Sequence, residues 1–276
     1  MPGSDVDTAA GASESRSASP AGVRVLITGA TGGLGRAMAQ ALADAGARVV
    51  VTGRDEARTV AAAGEIDAGR GLVAGTVMDV RDERSVASGV RRARDLLGGL
   101  DVLVNNAGLG MRTVNPAFLT EPHGFWEVPP DGFRDLVDTN LTGYFLVARE
   151  VTPGFIAAGG GRIVNISLNE ETMIRRGFAP YGPSRAGSEA LSRVMAADLR
   201  EYAVWVNVLL PGGATRTGMV PDQVPEAVRE RMLDASVMAA PIRWLCSPAA
   251  DGVTDQRIVA RDFDEWLRAR AVEPAP

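Results

Sequence analysis

Residues 23–46 of this 276-residue chain have the sequence VRVLITGATGGLGRAMAQALADAG. Apolar residues that favour a β-strand lead to Thr28, four glycines follow from Gly29 to Gly35, and an alanine-rich helical pattern comes next. Because glycine has no Cβ atom, it allows a tight turn and lets an anion approach the N–H groups at a helix start. The stretch therefore predicts a strand, a turn and a helix that together bind the pyrophosphate of a dinucleotide. Taken alone, the same turn could serve only to pack the strand against the helix.

Charge and composition narrow the classes of partner. The chain has a net charge of −5, and no basic run is longer than two residues. Nucleic acid is therefore not an expected partner, because binding a phosphate backbone requires clustered cations. The only cysteine, Cys246, excludes an internal disulfide, and the only histidine, His123, leaves no cysteine–histidine set for zinc. We predict no metal site, and a reducing cytoplasm suits this composition.

The first 21 residues differ from the rest of the chain. Residues 1–21 are small, polar and acidic and lack the apolar segment of a signal peptide, so they predict a disordered tail. Residues 22–276 are expected to form a single domain, since 46% of the whole chain is hydrophobic. No apolar run approaches the ~18 residues that would suggest a membrane span, and no membrane partner is expected.

Strand and helix patterns alternate through the rest of the chain. Apolar strand patterns occur at 47–52, 72–78, 101–104, 161–167, 203–210 and 256–260. This alternation predicts an α/β fold: a single doubly wound Rossmann domain with a central parallel sheet and helices on both faces. Because ligands of such sheets lie beyond the carboxyl ends of the strands, the residues after each strand are expected to meet at one crevice.

The end of the second strand bears on the choice of nucleotide. In a dinucleotide-binding fold an acidic residue at this position binds the ribose 2′-hydroxyl, whereas an arginine holds a 2′-phosphate. Here Gly53 and Arg54 stand at the strand end, and the first acidic residue is Asp55. A planar guanidinium suits phosphate, so Arg54 favours NADP over NAD, unless it is only a solvated charge at a helix start.

Several further motifs follow at fixed positions: Thr28-Gly29-x-x-x-Gly33-x-Gly35, Asp79-Val80, Asn105-Asn106-Ala107-Gly108, Asn140, Tyr181-x-x-x-Arg185 and Pro211-Gly212. In order and spacing they resemble the classical short-chain dehydrogenase/reductase family, in its gluconate 5-dehydrogenase-like or ketoreductase-like branch. The resemblance covers roughly residues 22–265. It implies the Rossmann domain already predicted.

The resemblance also implies how a nicotinamide dinucleotide is bound. In that family the glycine turn holds the pyrophosphate, the Asp-Val pair meets the adenine, Asn-Asn-Ala-Gly supports the ribose, and the Pro-Gly segment lies along the nicotinamide. The cofactor-binding residues implied in this chain are Thr28, Gly29, Thr31, Gly32, Gly33, Leu34, Gly35, Arg54, Asp79, Val80, Asn106, Ala107, Gly108, Tyr181, Arg185, Pro211, Gly212, Thr215 and Thr217.

The Tyr-x-x-x-Arg pair has the chemistry of a carbonyl reductase. Tyr181 and Arg185 are four residues apart in a helical pattern and therefore share a helix face. Carbonyl reduction needs a proton for the oxygen that becomes an alkoxide, and a phenol beside a cation can supply it. The resemblance implies that Tyr181 is the acid/base, that Arg185 binds the ribose, and that Asn140 opens its helix to seat a water in the proton path. In isolation, the pair would be better explained as a helix-start tyrosine at the core edge beside a solvated arginine.

Two positions depart from the family pattern. The family has lysine where this chain has Arg185, and an arginine cannot release a proton into a relay, so proton resupply is in question. The serine that polarises the substrate oxygen usually lies thirteen residues before the tyrosine, and that count falls on Leu168. Ser167 and Asn169 flank it, and both can donate a hydrogen bond to an oxyanion. We assign Ser167 as the catalytic hydroxyl.

These departures keep two non-redox alternatives open. A Tyr-x-x-x-Arg pair also resembles halohydrin dehalogenases, which eliminate halide without nicotinamide, but those enzymes have lost the glycine turn that is intact here. The other alternative is a cyclase or isomerase that retains its nucleotide site. We predict an NADP-dependent oxidoreductase that transfers a hydride between nicotinamide and a small-molecule carbonyl or secondary alcohol, such as a sugar acid, a ketoacyl compound or a polyketide.

Two loops and two helix faces complete the predictions. The connection 109–130 is long enough to suggest a functional loop beside the crevice, and it carries His123, which is either a proton-transfer group or merely solvated. Residues 220–246 are expected to cover the substrate, with Met219, Met232 and Met238 as adaptable apolar surface or as core. Residues 131–158 are expected to form one helix that carries Asn140. Apolar faces on this helix and on the Tyr181 helix predict a homodimer or homotetramer, as in the resembling family.

Overall fold

The computed structural model describes residues 17–221 and 224–272. Its sheet is parallel throughout, with the strand order β3-β2-β1-β4-β5-β6-β7. The strands are β1 (Arg24–Ile27), β2 (Arg48–Gly53), β3 (Val73–Val77), β4 (Val102–Asn105), β5 (Gly161–Ile166), β6 (Val204–Leu210) and β7 (Arg257–Val259). The predicted fold class is confirmed. The strand order reverses between β1 and β4, which is where a doubly wound sheet opens its binding crevice.

Helices connect successive strands and cover both faces of the sheet. They are α1 (Gly33–Asp44), α2 (Glu56–Asp67), α3 (Glu83–Leu97), α4 (Pro130–Val137), α5 (Gly143–Ala157), α6 (Glu170–Met173), α7 (Tyr181–Leu199), α8 (Glu226–Arg229), α9 (Ala239–Leu245) and α10 (Phe263–Val272). The single helix expected over 131–158 is interrupted, because a π-helical turn, Asp138–Thr142, separates α4 from α5. This turn places Asn140 in the interior.

Two hydrophobic cores lie on opposite faces of the sheet. Within β1, Val25 and Ile27 belong to the core covered by α1, α9 and α10, whereas Leu26 belongs to the core covered by α3, α5 and α7. The alternation follows from the two-residue repeat of a strand, which sends successive side chains to opposite faces. Because both faces are buried, the strands are apolar almost throughout, as expected of a parallel sheet.

Buried amides tie helix α7 to the middle of the sheet. Asn105 of β4 donates to Asn165 of β5 at 2.9 Å, and Asn165 donates to Ser192 of α7 at 2.7 Å. Buried polar groups in such a chain are stable only when paired, so these bonds set the position of α7 against β4 and β5. They thereby place Tyr181, the first residue of α7, relative to the crevice.

The predicted tail, 1–21, lies largely outside the described residues. Of its last five residues, Ser17 accepts a hydrogen bond from Ala249 N at 3.1 Å, and Pro20 is buried. The boundary between tail and domain stays a prediction. No helix in the described part of the chain is both long and apolar enough to cross a bilayer.

Candidate active site

A cleft of about 560 Å³ opens at the carboxyl ends of β1 to β4. The predicted cofactor residues that line it are Gly29, Thr31, Arg54, Asp79, Val80, Ala107 and Gly108. Lining residues that the sequence argument did not assign to the site are Arg58, Met78, Arg81, Leu109 and Thr139. The ends of four separate strands thus meet in one place, as the parallel topology requires.

The glycine turn packs closely against the Asn106-Ala107 segment. Gly29 has φ +63°, and a Cβ atom there would lie 2.6 Å from Ala107 Cα, so only glycine fits without a shift. Thr28 Oγ1 accepts hydrogen bonds from Asn106 N at 2.9 Å and Ala107 N at 3.0 Å. The Asn106 amide in turn donates to the carbonyl oxygens of Thr28 and Gly29. The turn and this strand end therefore form one rigid unit.

Four further turn residues differ in their surroundings. Gly35 is buried in the first turn of α1, where a side chain would overlap the Asn106 amide. Leu34 is half-buried and packs against the core beneath α1, whereas Gly32 and Gly33 are exposed at the start of α1. Exposed backbone at a helix N-terminus is the geometry that binds phosphate.

The end of β2 has no room for an acidic side chain at position 53. A Cβ atom on Gly53 would lie 2.6 Å from Thr59 Oγ1 and 2.7 Å from Thr31 Cγ2. The next residues, Arg54 and Asp55, line the cleft, but the Asp55 carboxylate accepts a hydrogen bond from Arg58 N at 2.8 Å and caps α2. Two arginines, Arg54 and Arg58, therefore dominate this end of the cleft.

Asp79 lies deeper in the cleft and is paired with Arg81. Arg81 donates from Nε to Asp79 Oδ1 at 3.0 Å and from Nη2 to Oδ2 at 2.7 Å, and it also contacts Asp135 at 3.3 Å. These hydrogen bonds hold the pKa of Asp79 below its usual value, against the effect of burial. Asp79 is consequently an anion whose orientation is fixed, next to the predicted adenine contact Val80.

Asn140 connects the π turn to two segments of the site. Its Oδ1 accepts from Leu109 N at 2.8 Å, while its Nδ2 donates to Leu109 O at 3.0 Å and to Ser184 Oγ at 3.0 Å. The side chain is fully buried. Its amide is therefore saturated by the loop after β4 and by the first turn of α7, which holds both segments together.

Tyr181 begins α7 where that helix meets α6. A Cβ atom on Gly182 would overlap the carbonyl oxygen of Met173, the last residue of α6. Tyr181 is half-buried, and its own carbonyl oxygen accepts from Ser184 Oγ at 2.8 Å. The backbone contact between α6 and α7 thus sets the position of the Tyr181 phenol along α7.

Arg185 lies one turn further along α7 and is buried. Its Nη1 donates to Tyr144 Oη at 2.6 Å and to Ile166 O at 3.0 Å, and its Cζ lies 5.7 Å from the centre of the Tyr181 ring. Burial opposes the charged form, but the phenols of Tyr144 and Tyr181 outweigh it and raise the pKa of Arg185. A Cβ atom on Gly108 would overlap Arg185 Nη2, so the guanidinium reaches the wall of the cleft. The structure therefore brings Tyr181, Arg185 and Gly108 together.

The two candidates for the oxyanion donor, Ser167 and Asn169, differ in environment from each other and from Leu168 between them. Ser167 is buried, and its Oγ has no hydrogen-bond partner among residues 17–221 and 224–272. Leu168 is half-buried, and its carbonyl oxygen accepts from Arg257. Asn169 caps α6 with extended backbone, and its side chain makes no capping bond. Of the two polar candidates, Ser167 has the buried hydroxyl.

The segment after β6 approaches the glycine turn at one point. Thr217 Cβ would lie 3.4 Å from a Cβ atom on Gly33, so these two predicted cofactor residues adjoin each other. Thr215 instead forms a β-bridge with Leu233. Gly212 has φ +93°, and a Cβ atom there would lie 2.6 Å from Val259 Cγ1. Pro211 is buried, and its carbonyl oxygen accepts from Arg261 N.

The two loops beside the site are joined to other segments. Arg112, in the loop after β4, donates to the carbonyl oxygens of Gly218 and Val220. Phe118 of the same loop packs edge-on against Phe178, with ring centres 5.5 Å apart. His123 is exposed at the surface, which suits its solvated interpretation.

The three methionines suggested as adaptable surface lie in different environments. Met238 is buried, Met232 is half-buried, and Met219 is 38% exposed. No group of three or more His, Cys, Asp or Glu side chains in the described ranges is placed to hold a metal ion.

Among the site residues that the sequence did not predict are Arg58, Arg81 and Tyr144. Arg58 lies in the first turn of α2, whereas Arg54 precedes the cap of that helix, so helical spacing does not relate the two. Arg81 follows the Asp79-Val80 pair directly. Tyr144 lies four residues after Asn140, but the π turn changes the helical phase there, so regular spacing gave no signal for it.

Comparison with known proteins agrees with this architecture. The family model for short chain dehydrogenases matches residues 23–227. The chain is 35% identical to a gluconate 5-dehydrogenase of Gluconobacter oxydans over 69% of its own length and 71% of that protein's.

Two solved structures have the same fold. A gluconate 5-dehydrogenase of Burkholderia cenocepacia in complex with NADP and tartrate has a TM-score of 0.77 and 28% identity, covering 89% of this chain and 96% of that one. A 3-ketoacyl-(acyl-carrier-protein) reductase of Brucella melitensis complexed with NADH has a TM-score of 0.76 and 28% identity, covering 87% and 97%. Since the family model extends from β1 to the segment beyond β6, this chain belongs to the short-chain dehydrogenase family and is an oxidoreductase of that type.

Proposed function

We propose that the protein is an NADP-dependent oxidoreductase that transfers a hydride between nicotinamide and a small-molecule carbonyl or secondary alcohol. The observation that carries the proposal is the pair Arg54 and Arg58 at one end of the cleft, with Tyr181 and Arg185 beside its other end at Gly108. One end offers cations for a phosphate, and the other offers a phenol next to a buried cation.

Charge pairing supports the preference for the phosphorylated nucleotide. Arg81 is neutralised by Asp79 and Asp135, whereas Arg54 and Arg58 form no ion pair with any residue in 17–221 or 224–272. Asp55 already serves as the cap of α2. A ligand at this end therefore meets two guanidinium groups that form no ion pair within the described ranges, and these suit a 2′-phosphate better than a 2′-hydroxyl.

The residues of the cleft fit a dinucleotide by their chemistry. Gly32 and Gly33 present exposed backbone at the N-terminus of α1, as a pyrophosphate requires. Thr31 and Thr217 border the same turn and would add hydroxyl donors. When bound, the nicotinamide supplies or accepts the hydride.

The protein groups beside the Gly108 end of the cleft would transfer the proton to and from the substrate oxygen. Tyr181 holds a proton at Oη for the substrate oxygen, and Arg185 stabilises the phenolate that remains, because it stays charged throughout. Ser167 donates a hydrogen bond to the same oxygen. Asn140, whose amide is saturated, holds the π turn open so that a backbone carbonyl can bind a water for proton resupply.

Exposed apolar side chains support self-association. Phe145 and Ile156 on α5 and Val194 on α7 are 44%, 37% and 56% exposed. Covering such side chains on a second copy would remove apolar surface from water. We propose a homodimer or homotetramer built on these helices, which light scattering on the purified protein would test.

Nucleotide titration followed by turnover tests the proposed function. NADPH is expected to quench the fluorescence of the four tryptophans at lower concentration than NADH. Sugar keto acids and 3-ketoacyl thioesters are the first carbonyl compounds to assay for NADPH consumption, since the similar proteins carry such names. Tyr181→Phe should keep nucleotide binding and lose turnover. Halide release from a halohydrin, or turnover unchanged in Tyr181→Phe, would refute the proposal.

A further inference from the structure

Tyr144 is a buried tyrosine that contacts Arg185 of the proposed catalytic pair. It is the second residue of α5, immediately after the π turn, and it is 1% exposed. Its phenol donates a hydrogen bond to Ile166 O at 3.1 Å and accepts one from Arg185 Nη1 at 2.6 Å. Arg185 Nη1 also donates to Ile166 O at 3.0 Å. These three groups form a closed triangle of hydrogen bonds at the end of β5.

The triangle uses both hydrogens of Arg185 Nη1. One goes to Tyr144 Oη and the other to Ile166 O. A guanidinium carries five N–H groups in a fixed plane, so pinning Nη1 at two points also fixes the directions of Nη2 and Nε. Nη2 then lies against Gly108, which lines the nucleotide cleft. Nε is buried without a hydrogen-bond partner in the described residues, so Nη2 is the group directed at the cleft.

The rings of two tyrosines lie close to the same guanidinium. Arg185 Cζ lies 5.3 Å from the centre of the Tyr144 ring and 5.7 Å from that of the Tyr181 ring. A cation near two aromatic rings is attracted to both, more strongly where water is excluded. Arg185 therefore has two tyrosine rings within about 6 Å, of which the sequence motif identifies only Tyr181.

We propose that Tyr144 is a positioning residue for the reaction. Its hydroxyl holds Arg185 so that Nη2 faces the nucleotide and the positive charge stays beside Tyr181. The inference rests on the proposed function, because it gives Arg185 the tasks of binding the nucleotide and stabilising the phenolate. It also accounts for an arginine at this position: a long planar cation needs a second acceptor to fix its orientation, and Tyr144 Oη is that acceptor.

The alternative is that Tyr144 is only an aromatic residue of the core. The two roles depend on different parts of the side chain, since core packing needs the ring and positioning needs the hydroxyl. Tyr144→Phe keeps the ring and leaves one buried Nη1 hydrogen without its acceptor. An unpaired buried donor of a charged group is costly, so Arg185 is expected to reorient.

The test is a double-mutant cycle with two readouts. Tyr144→Phe should weaken NADPH binding about tenfold and lower kcat about tenfold, with the KM of the carbonyl substrate within about twofold, because only the nucleotide side and the phenolate are affected. In the Arg185→Lys background, where Nη1 no longer exists, the same change should alter NADPH binding less than about twofold. Tyr202→Phe, at a tyrosine that is 42% exposed, is the matched control and should change neither quantity.

Each outcome of the double-mutant cycle either supports or overturns the positioning role of Tyr144. Equal effects of Tyr144→Phe in both backgrounds would mean that the hydroxyl does not act through Arg185, and would overturn the inference. So would a lowered melting temperature with NADPH binding and kcat unchanged. Either result leaves the proposed function standing if the wild-type protein binds and consumes NADPH. Failure of the wild-type protein to bind NADPH would overturn both.

Discussion

The carbonyl oxygen of Met173 occupies the space that a Cβ atom on Gly182 would need. Helices α6 and α7 thus meet backbone to backbone directly beside Tyr181, the proposed acid/base. A side chain at position 182 would have to push one helix away from the other. The position of the phenol consequently depends on the absence of a single methyl group.

Replacing Gly182 by alanine should therefore damage both stability and turnover. The obstacle is a backbone atom, which cannot rotate away, and overpacking of this kind costs about 1–3 kcal/mol. Thermal unfolding should show a lower melting temperature, and NADPH-dependent turnover should fall further than nucleotide binding. Gly64→Ala in α2 is the control: a Cβ there has open space, so it should be neutral or stabilising by up to about 1 kcal/mol. An unchanged melting temperature for Gly182→Ala would contradict this packing.

The arginines at the end of the cleft should determine nucleotide preference. Arg54→Ala and Arg58→Ala are each expected to weaken NADPH binding by about 10- to 100-fold, because each removes a charge-assisted hydrogen bond worth about 1.5–3 kcal/mol. NADH binding should change less than about twofold. Fluorescence titration with both nucleotides measures the ratio of their dissociation constants. Arg268→Ala, at an exposed residue outside the cleft, serves as the control. Equal losses for both nucleotides would show that neither side chain distinguishes the 2′-phosphate.

Ser167 and Asn169 can be separated by substitution. If Ser167 is the oxyanion donor, Ser167→Ala should lower kcat by about 10²–10³, the usual loss for one such donor, and leave NADPH binding unchanged. Asn169→Ala should then have little effect. The reverse pattern in steady-state assays would identify Asn169 as the oxyanion donor. Small effects of both substitutions would show that neither side chain is the donor.

Cys246 should be unreactive in the folded protein. Burial raises the pKa of its thiol to about 12, so the reactive thiolate is nearly absent at pH 8. An Ellman assay should detect no accessible thiol in the native protein and one per chain in denaturant, since the sequence has a single cysteine. Because the thiol ionises at lower pH in the unfolded chain than in the folded protein, ionisation favours unfolding once the pH exceeds the ordinary thiol pKa. The free energy of unfolding should therefore decline above about pH 8.5. Rapid labelling of the native protein at pH 8 would contradict this environment.

Much of the fold was predictable from local pattern. The alternation of apolar strands with helical segments correctly indicated a parallel doubly wound sheet, because only that arrangement buries continuous apolar strands on both faces. The helix expected over 131–158 was predicted without its π turn, since a change of hydrogen-bond register leaves little trace in hydrophobic spacing. Arg58 was missed because Arg54 precedes the cap of α2, so no helical repeat joins the two. Tyr144 was missed because its partner lies 41 residues away in α7.

The sequence by itself determined the order of strands and helices, the glycine turn after β1 and the family of the enzyme, because these depend on residue types at short, regular spacing. Only the tertiary structure decided that Gly182 must lack a side chain, that Arg58 joins Arg54 at the cleft, and that Tyr144 holds Arg185. Each of these is a contact between segments brought together by the packing of helices on the sheet. Distances across such contacts are set by the whole fold, and no local pattern of residues encodes them.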